Sequence, residues 1–191
     1  MKWAILCTGW GRNAKDTIEA YAKGVLKNAE IDLLIFEQEA CGAADVAKKY
    51  GIKTIQIKRN DYKDIFIYQK RLVAELQKRK IEYIFMLNYK YLIRKEMLVA
   101  FPNRIINIHP SLFPSFLGTK TAIQDALAYG VKITGITTHI IDEQFDKGII
   151  IMQEAIKIEE DDNYDTLYSK FAEKGKSIVL ETIDVLEQKQ P

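Results

Sequence analysis

Short apolar runs separated by amphipathic helical stretches restrict this chain's fold more than any other feature. "KWAILCT" (2–8), "IDLLIFE" (31–37), "KTIQIK" (53–58) and "EYIFML" (82–87) read as strands. Between them, residues 13–27, 41–50 and 62–79 repeat their apolar positions at helical spacing. The first stretch puts Ile18, Tyr21, Ala22 and Val25 on one stripe, and Gly51 stops the second. A short helix over 93–100 and a fifth strand over 104–109 follow. Strands joined through helices cannot be hairpins, so the alternation gives a parallel sheet with helices on both faces. Right-handed crossovers then align the strand C-terminal ends along one edge, where ligands bind in doubly wound sheets.

Beyond Gly118 the pattern changes. A helix over 120–129 precedes the strands "KITGITTHII" (132–141) and "GIIIMQEAIKI" (148–158), whose short connection makes them antiparallel neighbours. A final helix, 163–187, buries Leu167, Phe171, Ile178, Ile183 and Leu186. The expected fold is α/β: a doubly wound, mostly parallel sheet of about seven strands with helices on both faces. No repeat or linker divides the chain, and 191 residues suffice for one sizeable core, so residues 1–191 are expected to form a single domain.

Charge excludes little but guides expectation. With 28 basic and 26 acidic residues, the chain has no electrostatic footprint for a nucleic acid or a membrane. The basic run "QKRKIE" (77–82) reads as the solvated end of a helix. No apolar run has spanning length, and the N-terminus does not read as a signal peptide. Cys7 and Cys41 lie in different elements without metal-like spacing, which suits a reduced, cytoplasmic protein. A helix start such as that at Cys41 lowers a thiol pKa, yet both cysteines read first as small buried hydrophobes.

"CTGWGRNA" (7–14) joins the first strand to the first helix. Gly9, Gly11 and Ala14 match a loose dinucleotide fingerprint, and Glu37 ends the second strand where a ribose-binding acid would sit. A nicotinamide-dependent dehydrogenase is therefore one reading. The less specific reading is an anion site: glycines let the backbone approach a phosphate, free helix N–H groups favour it, Arg12 adds a charge-assisted clamp and Asn13 caps the helix. A plain tight turn is the bland alternative. Trp10 either stacks on a ligand or packs.

The chain has only two histidines, and each sits at a strand end. In "RIINIHPSLFPSF" (104–116), Asn107 and His109 face the same way, about 7 Å apart, because side chains alternate along a strand. Pro110 then ends the strand. In "THIIDEQFDKG" (138–148), His139 is followed by Asp142 and Asp146 in the connection. If the sixth strand lies beside the fifth, Asp146 can fold back toward His109. Turn chemistry alone would also explain Asp146-Lys147-Gly148.

"NIHPSLFPSFLG" with the downstream "VKITGITTHIIDEQFDKGIIIMQ" resembles the 10-formyltetrahydrofolate-dependent formyltransferase family, nearly end to end. The resemblance implies a Rossmann-like formyltransferase fold and Asn107, His109 and Asp146 as the catalytic trio. It implies Gly11, Arg12 and Asn13 as the phosphate loop, and Tyr89, Lys90, Leu92 and Asp142 as folate contacts, with His139 in support. The co-substrate implied is 10-formyltetrahydrofolate, without a metal. The acceptor implied is the amine of glycinamide ribonucleotide, in de novo purine biosynthesis. Partners are then small molecules, with a homodimer as one assembly the family pattern allows.

The chain departs from that pattern at three places. Arg12 stands where the family has a serine, "LNYKYL" (87–92) replaces a Gly-Phe-Met-Arg-like segment, and Leu117-Gly118-Thr119 replaces Pro-Gly in a loop that touches the amine. A second reading is therefore formyl transfer to another amine, such as a nucleotide-linked amino sugar, and a third is a binding-only relative. A formyltetrahydrofolate hydrolase or a methionyl-tRNA formyltransferase would be expected to carry a further domain.

Overall fold

The sheet has seven strands in the order β3-β2-β1-β4-β5-β6-β7. The structure is a computed structural model, and it describes residues 1–142 and 148–188. Along the chain run β1 (Lys2–Cys7), α1 (Arg12–Ala22), β2 (Glu30–Phe36), α2 (Gly42–Lys49) and β3 (Lys53–Gln56). Then come α3 (Ile65–Lys78), β4 (Tyr83–Met86), α4 (Lys95–Ala100), β5 (Ile105–His109) and α5 (Ala122–Tyr129). The chain closes with β6 (Ile133–Ile140), β7 (Ile150–Lys157) and α6 (Tyr164–Gln188). The first five strands are mutually parallel, and β6 and β7 each run antiparallel to the neighbour before them. The doubly wound, mostly parallel α/β fold expected from the sequence is the fold observed.

Chain order descends from β3 to β1 and then ascends from β4. The reversal opens a crevice between β1 and β4, the place where doubly wound sheets bind ligands. Each face of the sheet has its own core. On one face Ile5, Leu34, Phe85 and Ile106 meet Ile18 of α1, the alanines of α2 and Val179 and Ile183 of α6. On the other, Leu6, Leu33, Ile84 and Ile105 meet Leu72 and Leu76 of α3 and Met97 of α4. A third cluster packs Ile136 and Ile156 of the β6–β7 pair against Ile123 of α5 and Leu167, Phe171 and Ile178 of α6.

Two expectations are corrected. Helix α1 stops at Ala22, not at residue 27, because Gly24 takes φ +75°. Its N–H bonds the Tyr21 carbonyl at 2.9 Å and the Val25 N–H bonds that of Ala20 at 3.1 Å, which is a Schellman stop. The buried stripe is accordingly Ala14, Thr17, Ile18 and Ala20, while Ala22 and Val25 are exposed and Tyr21 is half-buried. The run at 77–82 is not wholly solvated either. Arg79 turns back to β2, where its Nη2 donates to Asp32 Oδ1 at 2.9 Å.

Candidate active site

The loop after β1 is shaped by its glycines. Gly11 takes φ +81°, and a Cβ there would lie 2.6 Å from Cys7 Sγ and 2.9 Å from the Ala43 Cβ. Glycine fits on both counts. It is the N-cap of α1, and the first intrahelical bond runs from the Lys15 N–H to the Gly11 carbonyl at 2.8 Å. The N–H groups of Arg12, Asn13 and Ala14 therefore have no intrahelical acceptor. No side chain caps this end and no acid lies in its first turn, so it stays electropositive. Asn13, expected as the cap, lies inside the helix, past the capping position. Its amide instead faces Gly175 of α6, where an added Cβ would be 3.3 Å from Oδ1.

Around this loop the other side chains are fixed. Arg12 is exposed, with its guanidinium 5.2 Å from the centre of the Tyr168 ring. Trp10 is half-exposed, and its indole lies against Gly42, leaving no room for a Cβ. Cys7 Sγ donates to the Gly9 carbonyl at 3.3 Å and Cys41 Sγ to that of Trp10 at 3.6 Å. Both thiols are buried, as expected. Burial pushes the Cys7 pKa up to about 12, with neighbouring Cys41 adding to the rise, so Cys7 is no nucleophile.

Glu37 does not wait for a ribose. It accepts the Tyr91 hydroxyl at 2.7 and 2.9 Å and the Arg59 N–H at 3.0 Å, with Lys90 Nζ 3.5 Å away. A nucleotide diol would have to displace these partners. The dinucleotide reading of the glycine loop thereby loses its acid.

Asn107 and His109 lie on β5 and His139 on β6, with Asn107 directly opposite His139. Asn107 Nδ2 donates to His139 Nε2 at 3.3 Å, and His139 Nδ1 meets the Ile140 carbonyl at 3.3 Å. The two contacts fit one neutral tautomer, with the proton on Nδ1. His109 Nε2 lies 3.0 Å from the Phe116 carbonyl. A carbonyl only accepts, so Nε2 carries the hydrogen. The Phe113 ring packs against both imidazoles, 5.3 Å from His109 and 4.9 Å from His139.

A buried hydroxyl organises this corner. Thr137 Oγ1 accepts the Phe113 N–H at 3.1 Å and donates to the Ser111 carbonyl at 2.7 Å. Gln153 Nε2 donates to the Phe113 carbonyl and to Thr137 Oγ1, each at 3.1 Å. Sequence reasoning missed Thr137 and Gln153. The available signal was polar residues inside otherwise apolar strands.

Thr8 joins the glycine loop to the segment after β4. It donates its hydroxyl to the Asn88 carbonyl at 2.9 Å and accepts the Lys90 N–H at 3.1 Å. In that segment the Tyr89 ring packs edge-on to Tyr91 at 5.6 Å, and burial pushes the Tyr89 phenol pKa upward. Lys90 and Leu92 are exposed, with Lys90 Nζ 5.0 Å over the Tyr91 ring. Asp142 is exposed just after β6, next to Ile141, whose N–H bonds the Ile105 carbonyl at 2.8 Å. Asp146 lies outside the described residues. Among the described residues no group of His, Cys, Asp and Glu is arranged to hold a metal, and no helix is long and apolar enough to cross a membrane.

The comparisons with known proteins agree with one another. A family profile described as formyl transferase matches residues 1–183. The chain is 32% identical over 166 residues to the phosphoribosylglycinamide formyltransferase of Bacillus subtilis, covering 87% of this chain and 84% of that protein. The crystal structure of phosphoribosylglycinamide formyltransferase from Bacillus halodurans superposes with a TM-score of 0.92 at 33% identity, over 99% of this chain and 96% of that one. Glycinamide ribonucleotide transformylase 1 from Symbiobacterium toebii gives a TM-score of 0.93 at 28% identity, over 98% of this chain and 88% of that one.

Proposed function

The chain belongs to the formyl transferase family, and from that membership we propose that it transfers a formyl group from 10-formyltetrahydrofolate to the amine of glycinamide ribonucleotide, a step of de novo purine biosynthesis. One observation carries the reading. The glycine loop, the segment 88–92 and the Asn107–His139 pair open on one edge of the sheet, on β1, β4, β5 and β6, beside the reversal of strand order.

The chemistry follows from these groups. The acceptor's amine attacks the formyl carbon, a new C–N bond forms, and negative charge gathers on the formyl oxygen. The bond from that carbon to N10 of the folate then breaks, and N10 takes up the proton that the amine has lost. Asn107 Nδ2 has one hydrogen on His139 and a second to offer the oxygen. His109 Nε2 already holds a hydrogen, now on the Phe116 carbonyl, and an oxyanion is the better acceptor. Two such donors stabilise the tetrahedral intermediate more than the ground state.

In this proposal Asp146 favours a protonated His109 and carries the amine's proton through water. Gly11, Arg12 and Asn13 take the ribonucleotide's phosphate. Tyr89, Lys90, Leu92 and Asp142 take the folate. The reaction belongs to the cytoplasm, where buried Cys7 and Cys41 stay reduced, and residues 1–191 act as one formyltransferase domain.

The deciding experiment is a panel of amines offered with 10-formyltetrahydrofolate, read by folate absorbance and product mass. Glycinamide ribonucleotide should be the preferred acceptor. Preference for a nucleotide-linked amino sugar would overturn the acceptor and keep the chemistry. Tight nicotinamide binding with indifference to folate would overturn both.

A further inference from the structure

We propose that Tyr168 is a positioning residue, which holds the Arg12 guanidinium at the mouth of the glycine loop and so makes the loop selective for acceptors carrying a phosphate dianion. The inference deepens the reading above and rests on the acceptor's phosphate lying at that loop.

Arg12 is the first residue of α1, beside the N–H groups that have no intrahelical acceptor. Its guanidinium lies 5.2 Å from the centre of the Tyr168 ring. That ring stacks on Tyr164, with centroids 5.8 Å apart and planes 26° apart. Tyr164 and Tyr168 occupy successive turns at the start of α6. Helix α6 is itself pressed onto the first turn of α1, where Gly175 meets the Asn13 amide. The tyrosine pair under Arg12 is itself exposed, and the helix that carries it is docked on α1.

Three lysines of α1 and α6 are already paired. Lys15 pairs with Glu19 at 3.0 Å, Lys170 with Asp162 at 2.5 Å and Lys174 with Glu154 at 2.7 Å. Among the described residues Arg12 pairs with no carboxylate. The manner of its holding matters. A carboxylate would consume the N–H groups along the edge of the guanidinium, whereas an aromatic ring engages its face. The planar fork therefore keeps its donors for a ligand while its rotamer freedom is reduced. Phosphate is the ligand that matches. A fork can meet two of its oxygens, and the helix N–H groups can meet the third. Lysine at 12 would supply the charge without the fork.

The test measures ribose 5-phosphate binding by calorimetry, and KM and kcat for glycinamide ribonucleotide, on wild type, Tyr168→Leu, Tyr168→Phe, Arg12→Ala and the Arg12→Ala/Tyr168→Leu double variant. Tyr168→Leu should weaken ribose 5-phosphate about two- to five-fold and raise KM by the same factor with kcat held. Tyr168→Phe should restore both. In the Arg12→Ala background the tyrosine change should add nothing. Unchanged binding in Tyr168→Leu, an equal loss in both backgrounds, or no binding of ribose 5-phosphate by wild type overturns the proposal. No formyl transfer to glycinamide ribonucleotide, with the Arg12–Tyr168 coupling intact, overturns the acceptor and leaves the clamp standing.

Discussion

In the proposed reaction Asn107 performs two tasks with one nitrogen. One N–H meets His139 Nε2, and the other serves the reacting centre. Asn107→Ala should therefore lower kcat on the order of 100- to 1,000-fold. It should leave the melting temperature nearly unchanged, because the residue is only half-buried. Steady-state kinetics beside a thermal melt checks both, and near-normal turnover would remove Asn107 from the oxyanion role. Gly11→Ala tests the loop in the opposite sense, through folding. A side chain at φ +81°, crowding Cys7 and Ala43, should cost about 1–3 kcal/mol in urea unfolding. The histidines and their amide were legible in the sequence because a strand's period of two fixes which residues share a face. Glu37 was not. Its partners Tyr91 and Arg59 lie 54 and 22 residues away, and no local pattern announces such a bond. Tyr168 escaped notice for the same reason, since only the docking of α6 on α1 brings it to Arg12.

The elements divide into those that hold themselves and those held by a single polar group. The loop after β5 is of the second kind. Thr137→Val would leave the Phe113 N–H without its acceptor and the Ser111 carbonyl without its donor, at about 1–3 kcal/mol for each buried group. Because Phe113 packs against both His109 and His139, the same change should reduce turnover. Denaturant titration and kinetics on one preparation would show both losses, and a stable variant with normal kcat would contradict this account. The start of α6 depends on Asp162 in a similar way. Its carboxylate receives Lys170, the Glu159 N–H at 2.8 Å and the Thr166 hydroxyl at 2.9 Å. These partners, Lys170 foremost, lower its pKa to about 2 from 3.8. A carboxylate with a depressed folded pKa contributes stability fully above its unfolded value and loses it as pH falls through the folded one. The first turn of α6 should thus loosen between about pH 4 and pH 2. Asp162→Asn should remove that dependence, as read by amide exchange at Tyr164 to Tyr168. Strand and helix order were legible from periodicity, but the Schellman stop at Gly24 cut α1 short. Apolar spacing continued to Val25 while the backbone had already turned.

At the scale of the whole molecule, α6 joins two halves that differ in construction. Its 25 residues extend about 37 Å, long enough to cross from the antiparallel pair to the parallel strands. Leu167, Phe171 and Ile178 pack on β6 and β7. Val179, Ile183 and Leu186 pack on the parallel strands and α1. Between these ends the Thr182 hydroxyl lies 2.8 Å from that of Thr138, one residue before His139. The strand that carries His139 is therefore tied to the helix that carries Tyr168, and the helix to the core beneath the glycine loop. The two halves are therefore expected to unfold together. Leu167 is 0% exposed and lies wholly within the hairpin cluster. Leu167→Ala should cost about 2–5 kcal/mol and lower the urea midpoint without changing the slope, because loss of the hairpin takes the parallel half with it. The change should report equally through the tryptophans and through far-ultraviolet circular dichroism. Trp3 lies in the opposite cluster, so it has no reason to respond unless the structure unfolds as one. A shallower slope, or a circular dichroism transition that precedes the tryptophan signal, would show that α6 joins the halves in space without joining their stability.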